Sequence, residues 1–226
     1  MIDDLRRSAA HVFVADLQNP VPGDEDMHHL SRVLRLRNGQ TVSVSDGRGA
    51  WRTCEWRADE LVTVGDVMTQ PRPGPTLTVA LSPVKGDRTE WAVEKLVETG
   101  IDRIVVLAPV ERSVVRWDDA RARANIERYG RITRAAASQS RRVWLPVVEG
   151  PLHLAEVLAA TGTAVAEPGG TRDLTGISTV VVGPEGGFTA DEVAGARASV
   201  DLGDTILRAD TAAVVAATLM VAHSRR

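Results

Sequence analysis

The sequence predicts an α/β protein in which a small β-rich module precedes a larger domain built on a parallel sheet. After residue 77, short apolar segments alternate with helical ones, which is typical of a parallel sheet covered on both faces. Before residue 70, short strand-like segments follow one another with turns between them. Between these patterns, Gln70–Pro75 holds three prolines and cannot continue a helix or a central strand. We therefore expect domains at residues 1–70 and 77–226, with a linker at 71–76.

The N-terminal module is predicted from four strand-like segments and one helix. The segment Asp24 to Leu36 has helical character and stops near Asn38-Gly39. The strands are predicted at His11–Val14, Thr41–Ser45, Trp51–Trp56 and Leu61–Val64. We expect Trp51 and Trp56 in the core of this module. The two histidines at positions 28 and 29 either stack on a nucleic acid or are ordinary surface or core residues.

The C-terminal domain is predicted from strands that alternate with helices. The strands are expected at residues 77–81, 104–107, 164–166 and 180–182, and the helices at 87–99, 118–138 and 151–160. Trp91 is expected in the core. An apolar helix near residues 212–222 ends the chain, with Asp210 or Thr211 as its cap.

Composition excludes several classes of protein. Of 226 residues, 43% are hydrophobic and 25% are charged, which is typical of a soluble globular protein. The one cysteine excludes an intramolecular disulfide, and no Cys/His cluster has the spacing of a zinc site, so we expect no metal. The start lacks a secretory signal core, and the longest apolar stretch is shorter than the roughly 20 residues of a membrane helix. These features favour a cytoplasmic protein without membrane contact.

The net charge of −3 hides an uneven distribution of charge. Residues 112–142 hold nine arginines against three acidic residues, whereas residues 149–210 hold ten acidic residues against three arginines. The guanidinium group suits bidentate contacts with phosphate and base edges better than the lysine ammonium does. A general preference for arginine on solvated helix faces would give the same pattern. A basic segment in a mildly acidic protein nevertheless indicates a possible RNA or DNA face.

A glycine-rich loop follows the predicted strand Val180–Val182. It reads Gly-Pro-Glu-Gly-Gly-Phe at 183–188, and Thr189 and Glu192 then have the spacing of a helix capping box. Ligands of open α/β sheets bind outside the carboxyl ends of strands, which is where this loop lies. The chain has neither a GxxxxGK[ST] run nor a GxGxxG run, and Glu185 would repel phosphate. The loop therefore favours a neutral or cationic ligand, unless it is only a tight turn.

A second glycine turn precedes the last helix. Residues 201–205 lead into a strand-like Ile206-Leu207-Arg208 and then into the apolar C-terminal stretch. From the residues alone, this segment could equally be an ordinary turn before a buried helix.

The two glycine runs resemble those of the SPOUT methyltransferases. These runs are GPEGGF at 183–188 and LGDTILRADTA at 202–212. Three further runs resemble the subfamily that methylates N3 of a uridine in 16S ribosomal RNA: HHLSRVLRLRNGQ at 28–40, KGDRTEWAVEKLVETGI at 85–101 and SQSRRVWLP at 138–146. The five runs keep their order over nearly the whole chain, so the resemblance is specific.

This resemblance implies a fold, a cofactor and partners. The fold would be an N-terminal PUA-like β-barrel and a C-terminal α/β domain with a deep trefoil knot. The implied cofactor is S-adenosyl-L-methionine, and the implied partners are a second copy of the chain and 16S rRNA, with the assembled 30S subunit favoured as substrate. Ala166-Glu167-Pro168 would form one wall of the cofactor pocket. The cofactor-binding residues implied are Glu167, Gly183, Glu185, Gly186, Gly187, Leu202, Gly203, Ile206 and Leu207.

Site residues for the RNA follow from the same resemblance. The acceptor nitrogen of uridine must lose a proton, so a base or an anion-stabilising group is needed. Arg208 is the candidate for stabilising charge on the uracil carbonyls, with a salt bridge to Asp204 or Asp210 as its alternative role. Gln139 and Arg142 would grip the flipped base or its phosphate. The RNA-binding residues implied are Arg7, His28, Arg32, Arg35, Arg88, Arg112, Arg134 and Arg141, with Arg32 and Arg35 on one helix face.

The chain departs from the family pattern in places that matter for mechanism. Ser138 and Asp210 stand where the family usually has glutamate, and Arg141 stands where it often has glycine. A base role assigned to the first of those glutamates cannot transfer, so the general base stays open. Two other functions also stay open: a methyltransferase of another RNA such as tRNA, and a catalytically silent RNA-binding factor in ribosome assembly. The intact glycine runs argue against the silent factor, because RNA binding alone needs no cofactor pocket.

Overall fold

The chain folds into two compact units in a computed structural model that describes residues 2–224. The first unit consists of Met1–Arg72 and Ala137–Leu145, and the second consists of Pro73–Ala136 and Pro146–Arg226. The expected domains, each one continuous stretch, do not anticipate that residues 137–145 belong with the N-terminal residues.

The first unit is built on a five-stranded sheet. Its order is β1-β2-β3-β4, with β5 paired to β3; β1 runs parallel to β2 and the other pairs are antiparallel. The elements are α1 (Ile2–Arg7), β1 (Ala10–Phe13), α2 (Asp24–His28), β2 (Thr41–Ser45), β3 (Ala50–Arg57), β4 (Glu60–Thr63) and β5 (Met68–Thr69). Trp51 and Trp56 are buried, which confirms their predicted core positions.

The predicted helix from Asp24 to Leu36 is wrong in its second half. Helix α2 passes into a π-helical turn, His29–Val33, and Arg35 then adopts a left-handed backbone conformation with φ of 51°. The N–H of Leu36 donates to the carbonyl of Leu30, which returns Leu36 to the core beside the fully buried Leu30. Because Arg35 lies beyond the helical turns, Arg32 and Arg35 do not share a helix face.

The second unit carries a six-stranded sheet in which every pair is parallel, so the predicted parallel sheet is confirmed. Its order is β11-β9-β10-β6-β7-β8. The strands are β6 (Thr78–Leu81), β7 (Arg103–Leu107), β8 (Val147–Leu152), β9 (Thr163–Thr171), β10 (Thr179–Val182) and β11 (Ser199–Val200). All residues of β6 and β10 are buried, as expected for central strands covered on both faces.

The second unit differs from prediction at three places outside its central strands. Its helices are α3 (Arg88–Thr99), α4 (Asp119–Gln139), α5 (Leu154–Leu158), α6 (Ala190–Val193) and α7 (Ala209–Ser224). The predicted helix at 151–160 is confirmed only over α5, because Val147–Leu152 pairs with β7 as a strand. Residues 206–208 are irregular and not strand-like, and α7 starts before Asp210, which therefore lies in its first turn and not at its cap.

Trp91 is also not a core residue. Helix α3 buries Ala92, Val93, Leu96 and Val97 and packs against α7, whereas Trp91 is 45% exposed. Trp91 is adjacent in sequence to these buried residues, but its indole lies on another face of the helix.

Among residues 2–224, no helix is long and apolar enough to cross a membrane. The same part of the chain contains no group of three or more His, Cys, Asp or Glu side chains that could hold a metal ion. The trefoil knot and the closure of the N-terminal sheet into a barrel stay predictions.

Candidate active site

A pocket of about 410 Å³ opens in the second unit, where three chain segments continue past paired strands. The segments are 166–168, beyond the part of β9 that pairs with β10, then 183–188 after β10, and 201–209 after β11. This is the edge of a parallel sheet at which α/β proteins bind ligands.

Eight of the nine residues expected to bind the cofactor line this pocket. They are Glu167, Gly183, Glu185, Gly187, Leu202, Gly203, Ile206 and Leu207. Gly186 is the exception, because its α-carbon faces Arg112: a Cβ built there would lie 3.1 Å from the Arg112 Cβ. The pocket also has lining residues that are not among the nine expected ones, including Pro184, Phe188, Asp201 and Thr205.

Two glycines leave the backbone open toward the pocket. Gly187 has φ of 69° and Gly203 has φ of 144°, conformations that side-chain-bearing residues rarely adopt. A Cβ built at either position would meet no atom within 4 Å, so the space beside the backbone is open. A ligand can therefore approach the peptide groups at these two positions closely.

The glycine loop is anchored at its end by the predicted capping box. The Glu192 N–H donates to the Thr189 hydroxyl at 3.3 Å, and the Thr189 N–H donates to the Glu192 carboxylate at 2.9 Å. The Glu111 N–H donates to the other oxygen of that carboxylate at 2.6 Å. Burial opposes ionisation of Glu192, but the hydrogen bonds from Glu111 and Thr189 outweigh it and lower its pKa.

Arg112, which was expected to bind RNA, is engaged with this same loop; its role in RNA binding stays a prediction. Its Nη1 donates to the carbonyl of Gly186 at 3.0 Å and to that of Phe188 at 3.4 Å. Together with the Glu111 contact, these bonds tie the segment after β7 to the loop after β10. The sequence carried no signal for this, since 74 residues separate Arg112 from Gly186.

Arg88, another residue expected to bind RNA, pairs with two carboxylates. Its Nη2 lies 2.6 Å from Glu185 Oε1, and its Nη1 lies 3.5 Å from Asp210 Oδ1. Glu185 belongs to the glycine loop and Asp210 to the first turn of α7. The guanidinium is thus engaged within the second unit. A role of Arg88 in RNA binding stays a prediction.

Arg208 lines the pocket with an exposed side chain. Its alternative partners are taken, since Arg172 pairs with Asp204 and Arg88 with Asp210. Within the part of the chain that the structure describes, the Arg208 guanidinium has no hydrogen-bond or ion-pair partner. It is therefore available to a ligand at the pocket rim.

In the first unit, Arg141 makes several contacts within the protein, and its expected role in RNA binding stays a prediction. Its guanidinium donates to the carbonyls of Ser138, Gln139, Ser8 and Ala9, at 2.9 to 3.3 Å. Burial lowers its pKa. Its φ of 58° accounts for the glycine that the family often has at this position, because glycine adopts this conformation without strain.

The remaining candidates lie at several places in the two units. Gln139 is exposed and Arg142 half-buried in the segment of the first unit at 137–145, and neither is among the residues that line the pocket. The other RNA candidates are exposed: Arg7, His28, Arg32 and Arg35 in the first unit and Arg134 on α4. Arg7 pairs with Asp3 at 3.0 Å on this surface.

Comparison with known proteins identifies relatives over most of the chain. The family profile described as an RNA methyltransferase domain matches residues 71–221, and that of an RNA methyltransferase PUA domain matches residues 22–55. Ribosomal RNA small subunit methyltransferase E of Mycobacterium bovis is 33% identical over 219 residues, covering 87% of this chain and 83% of that protein. The Bacillus subtilis protein of the same name is 27% identical, covering 85% of each chain.

Solved structures share the fold. Ribosomal RNA small subunit methyltransferase E from Neisseria gonorrhoeae, solved with S-adenosyl methionine bound, is 25% identical with a TM-score of 0.76, covering 95% of this chain and 97% of that one. A putative methyltransferase from Legionella pneumophila has a TM-score of 0.80 at 22% identity, covering 96% and 98%. On the profile match and the mycobacterial relative, this chain belongs to the RNA methyltransferase family that includes ribosomal RNA small subunit methyltransferase E.

Proposed function

We propose that this protein transfers a methyl group from S-adenosylmethionine to N3 of a uridine in 16S rRNA. The observation that carries the proposal is a glycine-lined pocket with Arg208 at its rim, whose guanidinium has no partner among residues 2–224. The family to which the chain belongs supports RNA as the substrate class.

The pocket suits S-adenosylmethionine by size and by charge. Its volume of about 410 Å³ lies within the range of roughly 300–1,000 Å³ found for small-molecule sites. Its charged lining residues are Glu167, Glu185, Asp201 and Arg208, an excess of carboxylates that favours a cation over a phosphate. S-adenosylmethionine has a sulfonium cation and no phosphate, and the related Neisseria gonorrhoeae enzyme binds it.

When bound, the cofactor supplies an electrophilic methyl group, and the residues of the chain align it with the acceptor. Open peptide groups at Gly187 and Gly203 would hold the adenine edge and the ribose. Arg208 would stabilise negative charge on the uracil carbonyls as the acceptor nitrogen loses its proton. The general base stays open, because Ser138 stands where the family usually has glutamate and Arg88 engages Glu185.

Exposed arginines would bind the RNA. Arg7, Arg32, Arg35 and Arg134 are accessible for phosphate contacts, which position RNA without reading its sequence. Gln139 and Arg142 would contribute contacts at the target nucleotide, which must be unstacked before it can react. Such contacts make affinity fall with salt concentration.

Several finer features belong to the same proposal. The chain would work as a homodimer. Its second unit would contain a deep trefoil knot, and its N-terminal sheet would close into a PUA-like barrel. Its substrate would be the assembled 30S subunit, which would make it a cytoplasmic factor of ribosome biogenesis.

Labelled S-adenosylmethionine provides the test. The protein is incubated with 30S subunits from a strain that lacks it, and with total tRNA in parallel. Label at N3 of one uridine in 16S rRNA is the expected result. Label in tRNA alone would keep the chemistry and replace the substrate. No label and no cofactor binding would favour a silent RNA-binding assembly factor.

A further inference from the structure

We propose that Arg88 is a positioning residue that holds two walls of the pocket together before any ligand binds. It would lock the glycine loop, residues 183–188, to the segment 201–208 that leads into α7. The inference rests on the proposed function only in naming S-adenosylmethionine as the ligand whose affinity depends on this lock.

The geometry sets three chain segments around one guanidinium. Arg88 is the first residue of α3, and its Nε donates to the carbonyl of Lys85 at 3.3 Å, in the segment between β6 and α3. Its two terminal nitrogens face Glu185 at 2.6 Å and Asp210 at 3.5 Å. A planar guanidinium can serve two carboxylates at once with fixed directions, which a lysine ammonium on its flexible stem does less well.

The three side chains differ in exposure, and Asp210 is the most buried of them. The side chains of Arg88, Glu185 and Asp210 are only 30%, 32% and 12% exposed. Asp210 Oδ1 is buried and, among the described residues, accepts no hydrogen bond, so the guanidinium is the cation that faces it. Removing one partner of a buried pair is costly because it leaves the other charge uncompensated.

Arg88 acts on the pocket through these two carboxylates and not by direct contact. It is not among the lining residues, whereas Glu185 is, and Asp210 follows two lining residues, Arg208 and Ala209. Without the arginine, two carboxylates would face each other without a cation between them, and their repulsion would separate the two walls. Part of the free energy of ligand binding would then be needed to bring the two walls together, which weakens the observed affinity.

The test compares three single variants and one double variant with the wild type. Arg88→Ala removes the guanidinium that pairs with both carboxylates. Arg88→Lys keeps the positive charge but lacks the two terminal nitrogens of the guanidinium, and Arg128→Ala is the matched control. Arg128 also ties α3 to another element, pairing with Glu90 at 2.8 Å, but neither residue lines the pocket. The measurements are amide hydrogen exchange of the ligand-free protein and titration with S-adenosylmethionine by calorimetry.

For Arg88→Ala we expect exchange at both 183–188 and 201–208 to rise about tenfold or more, with the strands of the sheet unchanged. Its Kd for S-adenosylmethionine should rise about tenfold, while kcat at saturating cofactor changes less than about threefold. Arg88→Lys should fall between Arg88→Ala and the wild type. Arg128→Ala should match the wild type. Adding Asp210→Asn to Arg88→Ala should recover part of the loss, because it removes the uncompensated charge.

Several results would overturn the inference. For Arg88→Ala, the inference fails if amide exchange is unchanged, if it becomes faster in only one of the two segments, or if it becomes faster throughout the sheet. It also fails if exchange becomes faster in both segments while the affinity for S-adenosylmethionine is unchanged. If the wild type itself binds no S-adenosylmethionine, the proposed function fails instead, and the exchange data still decide whether Arg88 clamps the two segments.

Discussion

His11 donates its Nε2–H to the backbone carbonyl of Arg142 at 3.1 Å, joining residues 131 positions apart in the chain. Because a carbonyl can only accept, this contact assigns the proton to Nε2, and Nδ1 then accepts from the Ser43 hydroxyl at 2.8 Å. The imidazole is 3% exposed. Its hydrogen bond to the Arg142 carbonyl fixes the backbone of the segment that carries Gln139 and Arg142. A neutral histidine is therefore part of what orders two proposed RNA-binding residues.

The first prediction concerns pH. Burial, followed by the charge of Arg141, lowers the pKa of His11 from 6.5 to about 4. Between these values the unfolded chain binds a proton that the folded chain does not, so the free energy of unfolding falls as pH drops from 6.5 towards 4. The full loss is about 3 kcal/mol, at roughly 1.4 kcal/mol per pKa unit. Urea unfolding at pH 7 and pH 4.5 measures it.

Other groups titrate in the same window, so a variant isolates the effect of His11. In His11→Gln, the amide N–H can still donate to the Arg142 carbonyl but does not titrate. The variant should be less stable than the wild type at pH 7 and should lose less stability on acidification. If the two proteins lose the same free energy of unfolding between pH 7 and 4.5, His11 is not the cause.

A second prediction contrasts two glycines of different surroundings. Gly49 has φ of 98°, and a Cβ there would lie 2.7 Å from the carbonyl oxygen of Gln70 and against the Trp144 ring. Gly49→Ala should therefore lower the free energy of unfolding by roughly 2–4 kcal/mol. Gly130, in the interior of α4, has open space around it, and Gly130→Ala should raise stability by about 0.5–1 kcal/mol. Chemical denaturation of both variants measures the contrast, and a destabilised Gly130→Ala would contradict it.

Local patterns in the sequence predicted most of the helices and strands. Contacts between residues far apart in the chain could not be predicted in this way. The Thr189–Glu192 capping box and the parallel strands depend on spacing within a few residues, so they could be predicted. The roles of Arg88 and Arg141 depend on partners 97 and 133 residues away, which no local pattern encodes. The family resemblance implied RNA binding for both, and it carried no signal for the contacts that their guanidinium groups make with protein atoms.

The third prediction separates RNA binding from cofactor binding. Arg142→Ala should reduce methylation of 30S subunits strongly, because it removes a proposed contact to the target nucleotide. Its affinity for S-adenosylmethionine should stay at the wild-type value, since Arg142 is not among the residues that line the pocket. Calorimetry and the methyl-transfer assay measure the two quantities. Loss of cofactor binding in this variant would contradict the assignment of Arg142 to the RNA.

The last prediction addresses Arg208, whose guanidinium has no partner in the described part of the chain while it lines the pocket. If it stabilises charge that develops on the uracil carbonyls, its removal should lower kcat more than it weakens binding. We expect Arg208→Ala to reduce kcat on the order of 100-fold while the Kd for S-adenosylmethionine changes less than about threefold. Arg197→Ala is the matched control, since Arg197 is also an exposed arginine of the second unit but does not line the pocket. A variant that loses cofactor affinity at unchanged kcat would place the guanidinium on the cofactor, and the stabilising role would then need another residue.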